Sequence, residues 1–124
     1  MTYSTVLADD NHEYNEWLAL LLNKSEDFMI SGQAYDGKTT IELVKSTKPD
    51  LLILDIDIPE LNGLEVARYI HYNFPDTKII LISTSEEHIY EELARQEGVL
   101  AFIPKVTLSL RSLLRVLKER GSRL

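Results

Sequence analysis

Five short apolar runs alternate along the chain with stretches whose apolar residues recur at helical spacing. The runs lie at Val6–Ala8, Phe28–Ile30, Leu51–Leu54, Ile79–Ile82 and Leu100–Ile103. The third and fourth runs are continuous and rich in branched aliphatic residues, as are strands buried on both faces of a parallel sheet. The pattern therefore predicts five strands.

Between the runs, apolar positions three and four residues apart indicate amphipathic helices. In the first helix this spacing puts Trp17 on the same face as Leu18 and Leu22, so Trp17 is predicted to lie in the core. The positions that mark the helices are Tyr14, Trp17, Leu18, Leu21 and Leu22; Ile41 and Val44; Val66, Ala67, Ile70 and Phe74; Ile89 and Leu93; and Leu110, Leu113, Leu114 and Leu117. Five strand–helix units predict an α/β fold, a doubly wound (βα)5 parallel sheet with helices on both faces.

Composition is that of one ordinary globular domain spanning residues 1–124. The chain has 124 residues, 44% of them hydrophobic and 27% charged, and no cysteine. No run approaches the eighteen or so apolar residues of a membrane span, and no secretory signal opens the chain. The absence of cysteine fits a reducing compartment, so we expect a cytoplasmic protein.

Charge is unevenly distributed. Residues 105–124 carry a net charge of +5, and the rest of the chain carries −12 of the total of −7. An acidic body of this kind argues against direct binding of nucleic acid by the domain. The basic residues near the end are expected to form a solvated helix face.

Residues with reactive side chains follow four of the five apolar runs. In a parallel sheet, ligands bind beyond the carboxyl ends of the strands, so these residues are the candidate site. Alone, each has an ordinary explanation, such as a solvated acidic pair, a helix cap or a surface lysine, but together they share one edge. They are Asp9 and Asp10 after the first run, Asp55 and Asp57 after the third, Ser83 and Thr84 after the fourth, and Lys105 after the fifth.

Converging carboxylates limit the chemistry of such a site. Three of them about 5 Å apart would repel by about 3 kcal/mol per pair at an effective dielectric of about 20. A cation relieves this repulsion, and ligands that are all oxygen favour Mg²⁺ over zinc. Mg²⁺ binds phosphate oxygens, so the natural reaction is phosphoryl transfer to Asp55, with Lys105 and Ser83 contacting the phosphoryl group.

With these motifs in place, the sequence resembles the receiver domain of bacterial two-component response regulators. The similarity runs through VLADDN, DGKTTIELVKSTKPDLLILDIDIPELNGLEVARYI, PDTKIILISTSE and GVLAFIPK, and is nearest to receivers of LuxR/NarL-type transcription factors. It implies a flavodoxin-like strand order of 2-1-3-4-5. The positions that match the family's motifs are Asp9, Asp10, Asp55, Pro59, Gly63, Ser83 and Lys105.

The resemblance implies that Asp55 is phosphorylated by the histidine of a sensor kinase. Asp10, Asp55 and the backbone carbonyl of Asp57 would hold Mg²⁺, and Asp9 would assist through water. The domain would then be a phospho-accepting switch with no enzymatic activity beyond its own phosphorylation and dephosphorylation.

The resemblance also implies a switch that acts on an output, which we expect to be transcription. Ser83 and Thr84 would contact the phosphoryl group, together with Lys105. Phe102 would be the aromatic switch residue, although a packed strand residue is an equal alternative. The face formed by the fourth helix, fifth strand and fifth helix would be remodelled.

The same resemblance predicts the partners. They are a sensor histidine kinase, a second copy on phosphorylation, and a C-terminal DNA-binding output domain that the chain does not contain. One departure concerns the loop after the last strand, where the family commonly has proline directly after the lysine. Here Pro104 precedes Lys105 and Val106 follows it, which leaves the loop geometry open.

Two other functions compete with the switch. LDIDIPEL also resembles the nucleophile motif of haloacid dehalogenase-type phosphatases, but Pro59 stands where that family has threonine, and the acidic pair precedes the nucleophile. The second alternative is a receiver-like interaction module that works without phosphorylation. The complete set of Asp10, Asp55, Ser83 and Lys105 argues against it.

Overall fold

A computed structural model describes residues 2–84, 95 and 98–120 of the chain. The predicted helix marked by Ile89 and Leu93 lies outside the described residues. The strands are β1 (Tyr3–Ala8), β2 (Phe28–Ala34), β3 (Leu51–Asp55), β4 (Lys78–Ser83) and β5 (Ala101–Pro104). The helices are α1 (His12–Asn23), α2 (Gly37–Thr47), α3 (Gly63–Asn73) and the C-terminal helix (Leu110–Arg120), which follows a short 3-10 turn (Lys105–Thr107).

The five strands form one parallel sheet in the order β2-β1-β3-β4-β5. This confirms the predicted fold class and strand order. Successive side chains of a strand point to opposite faces of the sheet. The central strands therefore contribute apolar residues to a core on each face. Leu52 and Leu54 face the core formed with α2 and α3, and Leu51 and Ile53 face the core formed with α1 and the C-terminal helix.

Three helices begin at a capping side chain, which fixes where each loop ends. The carboxamide of Asn11 accepts a hydrogen bond from the N–H of Tyr14, Asp36 accepts from Thr39, and Asn62 accepts from Glu65. Such caps satisfy backbone donors that the first helical turn leaves free. In the short loop between β1 and α1, the Asn11 cap holds the last residue against the first turn of the helix. Within the described ranges, no helix combines the length and apolarity needed to cross a membrane.

The prediction that Trp17 lies in the core is wrong. Its side chain is 45% exposed, and the buried positions of α1 are Asn15, Leu18, Ala19 and Leu22. The buried face of α1 is rotated by about one residue from the face that the apolar spacing predicted. It includes a fully buried polar residue, Asn15, which apolar spacing does not detect. Trp17 instead packs beside the ring of Tyr14, with ring centroids 5.3 Å apart.

Gly63 lets α3 begin directly against the strand end that carries Asp55. A β-carbon at this position would lie 2.5 Å from the Cα of Ile56 and 2.6 Å from the carbonyl oxygen of Asp55. The Gly63 N–H donates to the Ile56 carbonyl at 2.8 Å. Close backbone approach explains why the motif has glycine here.

Gly63→Ala is therefore expected to lower the free energy of unfolding by about 1.5 kcal/mol, because backbone atoms must move to admit the methyl group. Urea denaturation would measure this loss. The matched control is Gly32→Ala, whose β-carbon would meet only the flexible end of Leu43 at 3.1 Å. Equal losses in the two variants would contradict the argument from close approach.

Candidate functional site

The carboxyl ends of four strands bring the predicted residues to one edge of the sheet. Asp9 directly follows β1, and Asp55 ends β3. Asp55 is paired with Ile82 of β4, and the next β4 residue, Ser83, is paired with Pro104 of β5, one position before Lys105. The predicted convergence of these side chains is therefore present in the fold.

Three carboxylates meet at this edge. One oxygen from each of Asp9, Asp10 and Asp55 lies within 4.8 Å of the others. Asp9 is 1% exposed and Asp55 is 4% exposed, whereas Asp10 is open to solvent. Two buried carboxylates in contact carry a desolvation cost that requires a compensating positive charge.

Lys105 supplies a positive charge to both buried carboxylates. Its Nζ lies 2.7 Å from Asp9 Oδ2 and 3.3 Å from Asp55 Oδ2. Both contacts are ion pairs, and the contact with Asp55 is also a hydrogen bond. One ammonium group thus faces two buried carboxylates and one exposed carboxylate, so the site keeps an excess of negative charge.

The pKa values in the site follow from burial first and from the neighbouring charges second. Burial raises the pKa of Asp55 to about 6; the Asp9 carboxylate adds to the rise, while the Asp57 N–H and Lys105 oppose it. Burial also lowers the pKa of Lys105, but its contacts with Asp9 and Asp55 outweigh this effect, so the pKa lies above its ordinary value. Lys105 is therefore charged at neutral pH, and Asp55 is mostly ionised.

Backbone donors orient the two buried carboxylates. The Asp57 N–H donates to Asp55 Oδ1 at 3.0 Å, and the Asn11 N–H donates to Asp9 Oδ1 at 2.9 Å. In each aspartate, Oδ1 accepts the backbone hydrogen bond and Oδ2 contacts Lys105. The side chain of Asp57 itself is exposed.

A buried amide holds the loop that carries the acidic pair. The Nδ2 of Asn15, which is fully buried, donates to the carbonyl oxygens of Asp9 at 3.1 Å and Ala34 at 3.0 Å. Its Oδ1 accepts a hydrogen bond from Gln33 Nε2 at 2.8 Å. Asn15 thus joins the ends of β1 and β2. Sequence reasoning missed it because an asparagine among leucines gives no periodic signal.

Sequence reasoning also missed the role of Tyr14, which it placed in the apolar stripe of α1. The Lys105 Nζ lies 4.3 Å from the centre of the Tyr14 ring. The Tyr14 hydroxyl oxygen is buried and has no hydrogen-bond partner within the described part of the chain. Burial, followed by the charges of Asp9 and Asp55, raises the pKa of Tyr14. The only sequence signal was its position one helical turn after the acidic pair.

The remaining candidates lie on the β4 and β5 side. Ser83 is fully buried at the end of β4, and Thr84 is exposed after it. Phe102 is partly buried and packs against the core cluster between the sheet and helices α2 and α3. Every peptide bond in the described ranges is trans, including Lys105–Val106, and Lys105 opens the 3-10 turn.

The donor set fits a hard divalent cation. Among the described residues, its atoms are carboxylate oxygens that lie close together without histidine or cysteine. The single ammonium of Lys105 does not balance three carboxylates. Hard cations such as Mg²⁺ prefer oxygen ligands of this kind.

The sequence model of the response regulator receiver domain matches residues 5–118. The chain belongs to this family. Receiver domains are phosphorylation-based switches of two-component systems.

Relatives of this receiver domain include both a transcriptional regulator and an enzyme. It is 36% identical over 104 residues to the transcriptional regulatory protein YxjL of Bacillus subtilis. The aligned region covers 82% of this chain and 47% of that protein. It is 30% identical over 115 residues to a protein-glutamate methylesterase/protein-glutamine glutaminase of Pyrococcus abyssi, covering 92% of this chain and 31% of that protein. The chain thus spans about half the length of the Bacillus protein and a smaller share of the Pyrococcus protein.

Among solved structures, the receiver domain is similar to the NarL signal receiver domain of Mycobacterium tuberculosis. The two superpose with a TM-score of 0.88 at 28% identity, and the match covers 98% of each chain. This similarity agrees with the strand order and with the LuxR/NarL character predicted from the sequence.

Proposed function

We propose that this receiver domain is a phospho-accepting switch in which Asp55 is the acceptor. The observation that carries the proposal is the placement of the Lys105 ammonium 3.3 Å from the buried Asp55 Oδ2, within a cluster of three carboxylates. A structural ion pair needs one carboxylate for each cation. The surplus of negative charge at the end of β3 is better explained by a site that binds a cation and a phosphoryl group.

The proposed reaction is attack by an Asp55 carboxylate oxygen on the phosphorus of a phosphohistidine in a sensor kinase. The phosphorus–nitrogen bond breaks as the new phosphorus–oxygen bond forms, and its electron pair goes to the imidazole nitrogen, which takes up a proton from solvent. The products are a neutral kinase histidine and an acyl phosphate on Asp55. Asp55 needs no base because it is mostly ionised at neutral pH. Lys105, already in contact with Asp55, neutralises charge on the transferring group.

Asp10 and Asp55, with the backbone carbonyl of Asp57, would hold Mg²⁺, and Asp9 would assist through water. When bound, the ion neutralises phosphoryl oxygens and offsets repulsion between them and the carboxylates. Asp9 and Asp55 are fixed beforehand by the N–H groups of Asn11 and Asp57, so binding requires little reorganisation of either side chain.

We infer that the phosphoryl group is then read by residues of β4 and β5. Ser83 and Thr84 would donate hydroxyl hydrogen bonds to it, and Phe102 would change its packing. Such a response is a population shift driven by contacts that exist only in the phosphorylated state. The output would be transcription, through a DNA-binding domain outside residues 1–124 and a homodimer formed on phosphorylation; the similarity to a transcriptional regulatory protein supports this.

Intact-mass spectrometry after incubation with acetyl phosphate tests the proposal. We expect one phosphoryl group to be added to the wild type in the presence of Mg²⁺, and none to Asp55→Asn, which lacks an ionised oxygen. Asp76→Asn is the matched control, because Asp76 is an exposed residue in the loop before β4, at the opposite end of the strands.

The same experiment separates the competing functions. Steady release of phosphate without an adduct, abolished in Asp55→Asn, would favour a phosphatase. Neither adduct nor release would favour an interaction module that works without phosphorylation. An adduct that persists in Asp55→Asn would show that another residue is the acceptor.

A further inference from the structure

Lys105 reaches the acidic site on a flexible side chain, which must be held for its ammonium to act on the phosphoryl group. Of its two carboxylate partners, Asp55 is the one whose charge the proposed reaction changes, and Asp9 lies beside the proposed cation. Once Asp55 carries a phosphoryl group and a cation lies among the carboxylates, these ion pairs no longer define where the ammonium lies. A contact that does not depend on the charge state of Asp55 would keep Lys105 in place.

Tyr14 makes such a contact. Its ring centre lies 4.3 Å from the Lys105 Nζ, within the distance at which a cation is attracted to an aromatic face. The side chain of Lys105 is only 9% exposed, so the attraction is weakly screened by solvent. The ring is neutral and takes no part in the ion pairs.

Tyr14 is itself held in place by the local fold. Its N–H is bonded to the side chain of Asn11 at the start of α1, and Trp17 packs against its ring one turn later. The hydroxyl contributes no hydrogen bond to this arrangement within the described ranges. The ring is therefore the part of Tyr14 whose contact with Lys105 carries the inference.

We propose that the Tyr14 ring is a positioning element for Lys105, which keeps the ammonium in the site before and after Asp55 is phosphorylated. This inference rests on the proposed function, because it assigns Tyr14 a part in that reaction. Tyr14 acts through Lys105 and does not touch the reacting atoms in this scheme.

The test compares Tyr14→Phe, which keeps the ring, with Tyr14→Leu, which keeps an apolar side chain without a ring. The first readout is the proton chemical shift of the Lys105 side-chain methylene next to Nζ in metal-free protein, since protons over an aromatic ring are shifted upfield. We expect the upfield shift in the wild type and Tyr14→Phe and its loss in Tyr14→Leu. Tyr14→Met replaces the leucine variant if that variant does not fold.

The second readout is the rate of phosphorylation by acetyl phosphate with Mg²⁺. We expect Tyr14→Leu to slow it by about fivefold and Tyr14→Phe to leave it unchanged, which corresponds to a cation–π contact of ordinary strength. In a Lys105→Met background the same leucine substitution should have no further effect. A purely structural role of Tyr14 would persist in that background.

Equal rates in Tyr14→Leu and Tyr14→Phe would overturn the inference, and so would a leucine effect of undiminished size in the Lys105→Met background. A loss of rate in Tyr14→Phe as well would move the function from the ring to the hydroxyl, which also overturns it. Failure of the proposed function gives a different result. In that case the wild type forms no adduct, although the chemical shift of Lys105 still distinguishes leucine from phenylalanine at position 14.

Discussion

Lys105→Met is expected to lower the free energy of unfolding of the metal-free protein by about 3 kcal/mol at pH 7. The substitution removes the one ammonium group that contacts both buried carboxylates, at 2.7 Å from Asp9 and 3.3 Å from Asp55. Methionine keeps much of the side-chain volume and apolar contact, so the loss is electrostatic. Two buried negative charges would then face each other without compensation.

The loss should depend on pH in a defined direction. Without Lys105, one of the groups that hold down the pKa of Asp55 is gone, so the carboxyl protonates more readily. Protonation removes the uncompensated charge, and the difference between variant and wild type should shrink as pH falls from 7 to 5. Urea denaturation at both pH values measures this. The control is Lys38→Met, on the exposed surface of α2; a loss that is the same at both pH values would contradict the electrostatic explanation.

Asp55→Asn is expected to have the opposite effect and to stabilise the metal-free protein by about 2 kcal/mol at pH 7. Burial raises the pKa of Asp55 from 3.8 to about 6. A raised pKa means that the folded state binds the proton more tightly than the unfolded state, so ionising Asp55 costs stability. Asparagine keeps the shape and can still accept the Asp57 N–H, but it carries no charge.

The upward direction of the Asp55 pKa shift sets the pH range over which asparagine stabilises the protein. Below about pH 4 the carboxyl is protonated in both folded and unfolded states, so asparagine should confer little advantage. The gain should grow between about pH 4 and pH 6 and then remain constant toward pH 7. Thermal or urea unfolding of wild type and variant across this range would measure it, with Asp76→Asn as control. A gain of the same size at pH 4 and pH 7 would show that it has another cause.

Much of the fold could be predicted because its strands are buried on both faces. Every side chain of Leu51–Leu54 and Ile79–Ile82 is apolar, and such strands are buried on both faces only in the centre of a sheet. Once the strand ends were located, the positions of Asp9, Asp55 and Lys105 at one edge followed from parallel topology. Their convergence in the structure comes from the same physical cause.

What the sequence did not reveal depends on contacts between distant residues. The burial of Asn15 is possible because the carbonyls of Asp9 and Ala34 happen to meet its amide, which no local pattern records. Tyr14 satisfied the apolar spacing of α1, yet its ring contacts a lysine 91 positions later in the chain. Helical periodicity identifies the face that a residue lies on, but it does not identify the groups that this face meets.

The backbone around Asp55 limits how a donor can reach it. The Ile56 N–H donates to the carbonyl of Ile82 at 2.9 Å, and the Ile56 carbonyl accepts from the Gly63 N–H at 2.8 Å, so the backbone directly after Asp55 is held in place. If Asp55 is the acceptor, as proposed, a phosphoryl donor must reach a side chain that is only 4% exposed, which favours a narrow group such as an imidazole ring or a small acyl phosphate. Discrimination among donor proteins would then fall to exposed residues next to the buried ones along the chain, such as Asp10, Asp57 and Val106.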